Sequence, residues 1–173
     1  MRGYTDKQKL EAFMRSLGER VHGAGRIYLV GGATAVWYGW RESTIDIDLK
    51  AGLEPAGMFQ AIASIKNEID ANVELASPDQ FIPALPGWEE RSRYIGHFGP
   101  VDFYHYDFYA QALAKLQRGH GRDRLDLEAL ARLGLIEKGQ LRQLFSAIEP
   151  ELIRYPAIDP AEFRRAVEEF CRE

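Results

Sequence analysis

The sequence predicts an α/β (α+β) fold in which strands and helices over residues 1–106 precede a helical lobe over residues 107–173. Two observations support this prediction. Up to residue 106, short apolar runs rich in β-branched and aromatic residues alternate with helical patterns and glycine turns. Beyond it, apolar residues recur at helical intervals, and the breaks between them contain glycine or proline. We expect the two parts to pack as one compact unit.

The first elements are a helix, a strand and a second helix. Residues 5–22 begin with capping-box spacing and carry apolar residues at helical intervals, which predicts an amphipathic helix. Residues 26–30 form a β-rich run that ends at Gly31 and Gly32, and residues 33–38 can begin a helix. A strand, a glycine turn and a helix therefore follow one another here.

The later elements are predicted from the same two periodicities. The prolines within residues 76–88 predict an irregular segment. Four runs have the composition of strands, and the last two are expected to pair as a hairpin: residues 45–49, 72–75, 93–96 and 101–106. Five segments have the apolar spacing of helices: residues 55–69, 109–117, 124–133, 138–148 and 160–172.

Asp46 and Asp48 stand two residues apart on a predicted strand and so share one face, while Ile45, Ile47 and Leu49 share the other. Two carboxylates on one face repel each other unless a cation lies between them. Hard cations such as Mg²⁺ (or Mn²⁺) bind through one or two carboxylates and complete their shell with water and substrate phosphates. We interpret the pair as metal ligands; the alternative is a solvated acidic face.

The glycine pair before this strand has the setting of a phosphate-binding turn. Glycine permits close backbone approach and positive φ, and a helix N-terminus presents N–H groups and partial positive charge to an anion. Gly31 and Gly32 stand between the strand and the helix at such a point. The Walker spacing and the dinucleotide-binding glycine fingerprint are absent, so neither of those phosphate-binding folds is indicated.

This combination resembles the signature of the polymerase-β-type nucleotidyltransferase superfamily, and within it the bacterial branch of AbiEii-type toxins and their uncharacterised relatives. The resemblance implies a small mixed sheet flanked by helices. It also implies Mg²⁺-dependent transfer of a nucleoside monophosphate from a nucleoside triphosphate such as ATP to a hydroxyl of an RNA 3′ end, a protein or a small molecule. A toxin role would bring an antitoxin partner. The alternative is a catalytically inactive nucleotide-binding or antitoxin-like module. The resemblance is carried by residues 31–35, Arg41, Ser43, Thr44 and residues 46–49.

The family also implies a third carboxylate in an apolar–acid–apolar context on a later strand. Asp102 stands between Val101 and Phe103 in such a context, and the predicted hairpin would bring it beside the first strand pair. We expect Asp102 to join Asp46 and Asp48, where it would complete the second metal site or take the proton from the attacking hydroxyl. The alternatives are that Asp102 faces solvent or that Asp107, which has the position of a helix N-cap, is the third acid.

The resemblance extends to nucleotide-binding residues, which include Gly31, Gly32 and Thr34 in the turn. A lysine helix followed by an R-D-x-x-D-L pattern carries over Lys115 as a phosphate contact and Asp126 as the acid that pairs with it or orients it. Arg41 is a further phosphate contact. Ordinary surface or capping roles are the alternatives for these last three residues: Lys115, Asp126 and Arg41.

A basic loop precedes Asp126 in the sequence. It is a candidate contact for an RNA end or a triphosphate, and the alternative is a solvated junction between two helices. The net charge of −4 and the pI of about 5.6 argue against a broad basic surface for duplex binding. The basic residues of this loop are Arg118, His120, Arg122 and Arg124.

Length and composition fit a compact enzyme that has no membrane partner. The chain has 173 residues, of which 46% are hydrophobic, and its single cysteine cannot form an internal disulfide. Residues 1–7 contain no apolar signal core, and the weakly charged residues 27–40 are too few to span a bilayer. We therefore expect a cytoplasmic protein.

Overall fold

The structure is a computed structural model that describes residues 2–173; Met1, the first residue of the segment inspected for a signal sequence, lies outside the described residues. The fold is mixed α/β, as predicted, with five strands and eight α-helices in the described range. The strands are β1 (Gly25–Val30), β2 (Asp46–Leu53), β3 (Asn72–Leu75), β4 (Arg93–Phe98) and β5 (Val101–His105). The helices are α1 (Lys7–Arg20), α2 (Gly32–Tyr38), α3 (Met58–Glu68), α4 (Trp88–Arg91), α5 (Phe108–Arg118), α6 (Asp123–Arg132), α7 (Lys138–Ile148) and α8 (Pro160–Arg172).

The chain divides into two compact units. The first unit comprises the described residues up to Ser77 together with Ser92–Tyr106, and it contains the whole sheet with α1, α2 and α3. The second unit comprises Pro78–Arg91 and Asp107–Glu173, and it is helical. The segment predicted to be irregular is part of the second unit, and it contains a 3₁₀ turn over Pro78–Gln80.

The sheet of the first unit has the strand order β3-β2-β1-β5-β4. β1 pairs antiparallel with β2 and parallel with β5, and β2 pairs parallel with β3. The parallel pair β2–β3 is joined by α3, because parallel neighbours need a crossover connection. β4 and β5 form the predicted hairpin, which places β5 directly beside β1.

One face of this sheet forms the core of the first unit. Alternate residues of the strands point into it, and α1 and α3 supply the apolar side chains that cover it. Burying each large aliphatic side chain contributes on the order of 2 kcal/mol of free energy of unfolding. The opposite face is therefore the one on which the strands can carry polar side chains. The strand residues of the core are Ile27, Leu29, Ile47, Leu49, Val73, Val101 and Phe103.

In the second unit, the residue that caps α5 is hydrogen-bonded to Arg91 at the end of α4. Asp107 caps α5 by accepting a hydrogen bond from the Tyr109 backbone N–H at 3.1 Å, which is the N-cap position that the sequence suggested. Arg91 donates from Nη2 to Asp107 Oδ2 at 2.7 Å. Burial raises the pKa of the Asp107 carboxyl, and the Arg91 guanidinium opposes that rise without cancelling it.

No helix within residues 2–173 combines the length and the apolar composition that crossing a bilayer requires.

Candidate active site

The glycine turn lies against the beginning of the acidic strand. Gly31 has a φ of +63°, a left-handed conformation that favours glycine, and α2 begins at the next residue. A Cβ on Gly32 would lie 2.1 Å from Thr44 Oγ1, so a side chain there would overlap Thr44. A Cβ on Gly31 would lie 3.5 Å from Asp48 Oδ2. The absence of side chains thus lets the backbone of the turn approach Thr44 and Asp48 closely.

Asp46 and Asp48 lie on the face of β2 opposite the core, as the alternation predicted. Ile47 and Leu49 are fully buried, whereas both carboxylates are half-buried. Asp48 pairs in register with Val30, the residue directly before the glycine turn. The local geometry therefore brings the acidic pair to the turn.

Glu74 is a third acid beside this pair, which the sequence pattern did not single out. Glu74 on β3 is in register with Asp48, so the two residues face the same side of the sheet. The sequence contained a pattern that could have indicated Glu74, because Val73-Glu74-Leu75 is an apolar–acid–apolar run on a strand whose bounds were predicted. Asp102 stands in the same apolar–acid–apolar pattern on β5.

Asn72 connects the acids of β2 and β3. It is in register with Asp46 and donates from Nδ2 to Asp46 Oδ1 at 2.5 Å. The same nitrogen donates to Glu74 Oε1 at 3.0 Å. One amide group therefore lies between two carboxylates.

The expected convergence of Asp102 with Asp46 and Asp48 is wrong. Asp102 pairs with Arg26 on β1, which is four residues from Val30, the partner of Asp48. That offset is about 13 Å along the strand, in addition to the separation between strands. Asp102 instead forms an exposed hydrogen bond with His97, with 2.7 Å between Oδ1 and Nδ1. β5 lies beside β1 as expected, but the register places Asp102 near the start of β1, at the opposite end of that strand from the glycine turn.

The donor set at the turn fits a hard divalent cation. Asp46, Asp48 and Glu74 offer only carboxylate oxygens, which Mg²⁺ and Mn²⁺ prefer. Across residues 2–173 no three His, Cys, Asp or Glu side chains already form a metal-binding group. Mg²⁺ is commonly held by one or two carboxylates together with substrate phosphates, so an acidic pair matches that mode of binding.

Thr34 is directed into the first unit. It is buried, and its Oγ1 lies 3.0 Å from His105 Nδ1. Burial, with a smaller contribution from the charge of Arg93, lowers the pKa of His105 to about 3. The Thr34 hydroxyl therefore has a partner within the first unit, and its contact with a nucleotide stays a prediction.

Lys115 and Asp126 form an ion pair in the second unit, and their contact with a nucleotide stays a prediction. Lys115 Nζ lies 2.8 Å from Asp126 Oδ2 and 3.4 Å from Asp123 Oδ1, and all three side chains are buried. Arg118 binds Asp123 with two hydrogen bonds of 2.6 Å. Although burial raises the pKa of the Asp123 carboxyl, the hydrogen bond from Arg118 and the charges of Lys115 and Arg118 outweigh that effect and lower it.

The remaining predicted contacts lie on loops and helix surfaces. In the basic loop, Arg118 is bound to Asp123, and Arg124 is bound to Glu128. Half of the expected basic patch is therefore already neutralised by neighbouring acids. Arg41 lies half-buried after α2, and its contact with phosphate stays a prediction.

The comparisons with known proteins give one family. No curated protein and no solved structure matches the chain. A family model described as "nucleotidyltransferase of unknown function (DUF6036)" matches residues 8–170, which is nearly the whole length. This match agrees with the superfamily resemblance and does not extend to the AbiEii-type branch. The chain belongs to this nucleotidyltransferase family.

Proposed function

We propose that the protein transfers a nucleoside monophosphate from a nucleoside triphosphate to a hydroxyl acceptor with the help of Mg²⁺ or Mn²⁺. The observation that carries this proposal is the placement of Asp46, Asp48 and Glu74 on one sheet face beside the glycine turn. A nucleotidyltransferase needs such an arrangement, because its substrate is a polyanion that must be bound together with cations.

The residues of the first unit have the following proposed roles. Asp46 and Asp48 hold the divalent cations, which supply neutralisation of charge on the α-phosphate and the leaving pyrophosphate. The backbone of Gly31 and Gly32 borders the triphosphate, where the lack of side chains leaves room for phosphate oxygens. Glu74 takes the role expected of Asp102, as a further ligand or as the base for the acceptor hydroxyl.

The reaction makes one bond and breaks one bond. The acceptor oxygen bonds to the α-phosphorus, and the bond from that phosphorus to the oxygen bridging to the β-phosphate breaks. The hydroxyl proton goes to the Glu74 carboxylate or to water, and pyrophosphate leaves. Candidate acceptors are an RNA 3′ end, a protein hydroxyl and a small molecule, and a toxin controlled by an antitoxin would act on one of the first two.

The test is transfer of label from α-labelled ATP, GTP, CTP or UTP in the presence of Mg²⁺, with pooled RNA, a protein extract and small polyols as acceptors. Asp46→Asn, Asp48→Asn and Glu74→Gln each remove a charge with little change of shape. We expect each to lower transfer by at least about 100-fold. Asp102→Asn is the matched control, since its register places it away from the acids, and it should retain activity.

Two results would contradict the proposal. Transfer that survives the combined Asp46→Asn and Asp48→Asn variant would remove the site assignment. Triphosphate binding by calorimetry with no pyrophosphate release for any acceptor would instead support a nucleotide-binding or antitoxin-like module.

A further inference from the structure

We propose that Asn72 is a positioning residue, which holds the carboxylates of Asp46 and Glu74 in the orientation that binds a divalent cation. The inference rests on the proposed function. It concerns a residue that neither the sequence motif nor the family match brings into the site.

The orientation of the Asn72 amide follows from the chemistry of its partners. Ionised carboxylates only accept hydrogen bonds, so the amide nitrogen, and not the amide oxygen, must face both Asp46 and Glu74. An amide NH₂ has two hydrogens, and the two contacts of 2.5 and 3.0 Å use both of them. The donor is therefore saturated by the two acids.

The strand register fixes the amide at this point. Asn72 and Glu74 share one face of β3, and their partners on β2 are Asp46 and Asp48. Val73, between them, is buried in the core, so β3 cannot turn its polar face away without exposing an apolar side chain. The position of the amide is thus set by the packing of the sheet.

The amide provides a neutral link between two like charges. Without it, Asp46 and Glu74 would repel each other and turn apart when no cation is bound. The amide occupies one oxygen of each carboxylate and adds no charge of its own, so a cation still meets the full charge of both acids. Partners of this kind around metal ligands typically change metal affinity by about 10- to 100-fold when they are removed.

The test measures binding of Mn²⁺ to the full chain by electron paramagnetic resonance, with and without a non-hydrolysable triphosphate. For Asn72→Ala we expect Mn²⁺ affinity to fall by about 10-fold or more. Asn72→Ser keeps one donor hydrogen and should lie between Asn72→Ala and the wild type. Both variants are measured well below their melting temperatures, so that a loss of fold is separated from a loss of affinity.

A matched control comes from the same unit. Asn67 on α3 is exposed, and its amide donates to Ala63 O at 3.3 Å within the same helix. Asn67→Ala makes the same chemical change away from the acids and should leave Mn²⁺ affinity unchanged.

The two proposals fail in different ways. Wild-type Mn²⁺ affinity in Asn72→Ala, combined with its loss in Asp48→Asn, overturns the role of Asn72 and leaves the proposed function standing. A fall in melting temperature with unchanged affinity has the same meaning, because it makes Asn72 a purely structural residue. A wild type that binds no Mn²⁺, or binding that survives Asp48→Asn, overturns the proposed function and this inference together.

Discussion

Gly32 is the residue at which the turn meets the loop before the acidic strand. Thr44 fills the space that a Cβ on Gly32 would occupy, and its Oγ1 donates to the backbone oxygen of Asp46 at 3.2 Å. Glycine here serves the close approach of the turn backbone to the Thr44 side chain. The same contact couples the turn to the position of Asp46.

Gly32→Ala should therefore destabilise the chain, because the new methyl group displaces Thr44. We expect a loss of about 1–3 kcal/mol in the free energy of unfolding, measured by urea titration. Thr44→Ala in the same chain should restore part of it, since the nearest atom, Oγ1, is then absent. Equal losses in Gly32→Ala with and without Thr44→Ala would show that the two residues are not coupled.

Residue-scale prediction from the sequence succeeded where a local pattern was sufficient and failed where pairing decided. Asp46 and Asp48 share a face because alternation is a property of one strand. Glu74 and Asp102 stand in the same apolar–acid–apolar pattern, and only the pairing of β3 with β2 distinguishes them. Pairing is a contact between distant parts of the chain, so the pattern alone could not show which of the two acids lies beside Asp48.

At the scale of elements, α5 and α6 are joined by a buried ion pair. Lys115 on α5 meets Asp126 on α6, and both side chains are buried. Removing one partner of such a pair leaves an uncompensated charge in a poorly solvated place. The pair therefore constrains how these two helices pack within the second unit.

Lys115→Met should accordingly cost about 3 kcal/mol or more of the free energy of unfolding. Lys115→Met combined with Asp126→Leu should recover much of that loss, because neither charge is then left alone. Arg124→Met is the control: its partners Glu128 and Glu173 are exposed, so its cost in free energy of unfolding should be much smaller than that of Lys115→Met. Similar losses for Lys115→Met and Arg124→Met in urea unfolding would contradict a structural role for the buried pair.

At the scale of the whole chain, helical periodicity predicted the C-terminal elements well. α7 and α8 have the predicted bounds, and the start of α8 is marked by the Asp159 cap and Pro160 at the first helical position. The segment over residues 78–91 was harder to assign, because its place in the second unit depends on the contact between Arg91 and Asp107. The composition of this segment indicated irregular backbone. It could not indicate that Arg91 would bind Asp107.

The stability of the chain in acid should depend on His105. Its pKa is lowered to about 3 by burial and by Arg93, whereas an unfolded histidine titrates near 6.5. Above pH 6.5 both states are neutral at this ring. As the pH falls from 6.5 towards 3, the unfolded chain gains a proton that the folded chain does not accept, so the folded state loses stability. Between pH 7 and pH 5 the loss should be about 2 kcal/mol in urea unfolding.

His105→Gln should remove this pH dependence, whatever it costs at pH 7, because the titrating ring is gone. His22→Gln is the matched control, since His22 is exposed and the change of residue is the same. The comparison isolates His105 from the carboxylates, which contribute equally to all three proteins. A loss between pH 7 and pH 5 that is as large in His105→Gln as in the wild type would mean that other groups govern acid unfolding.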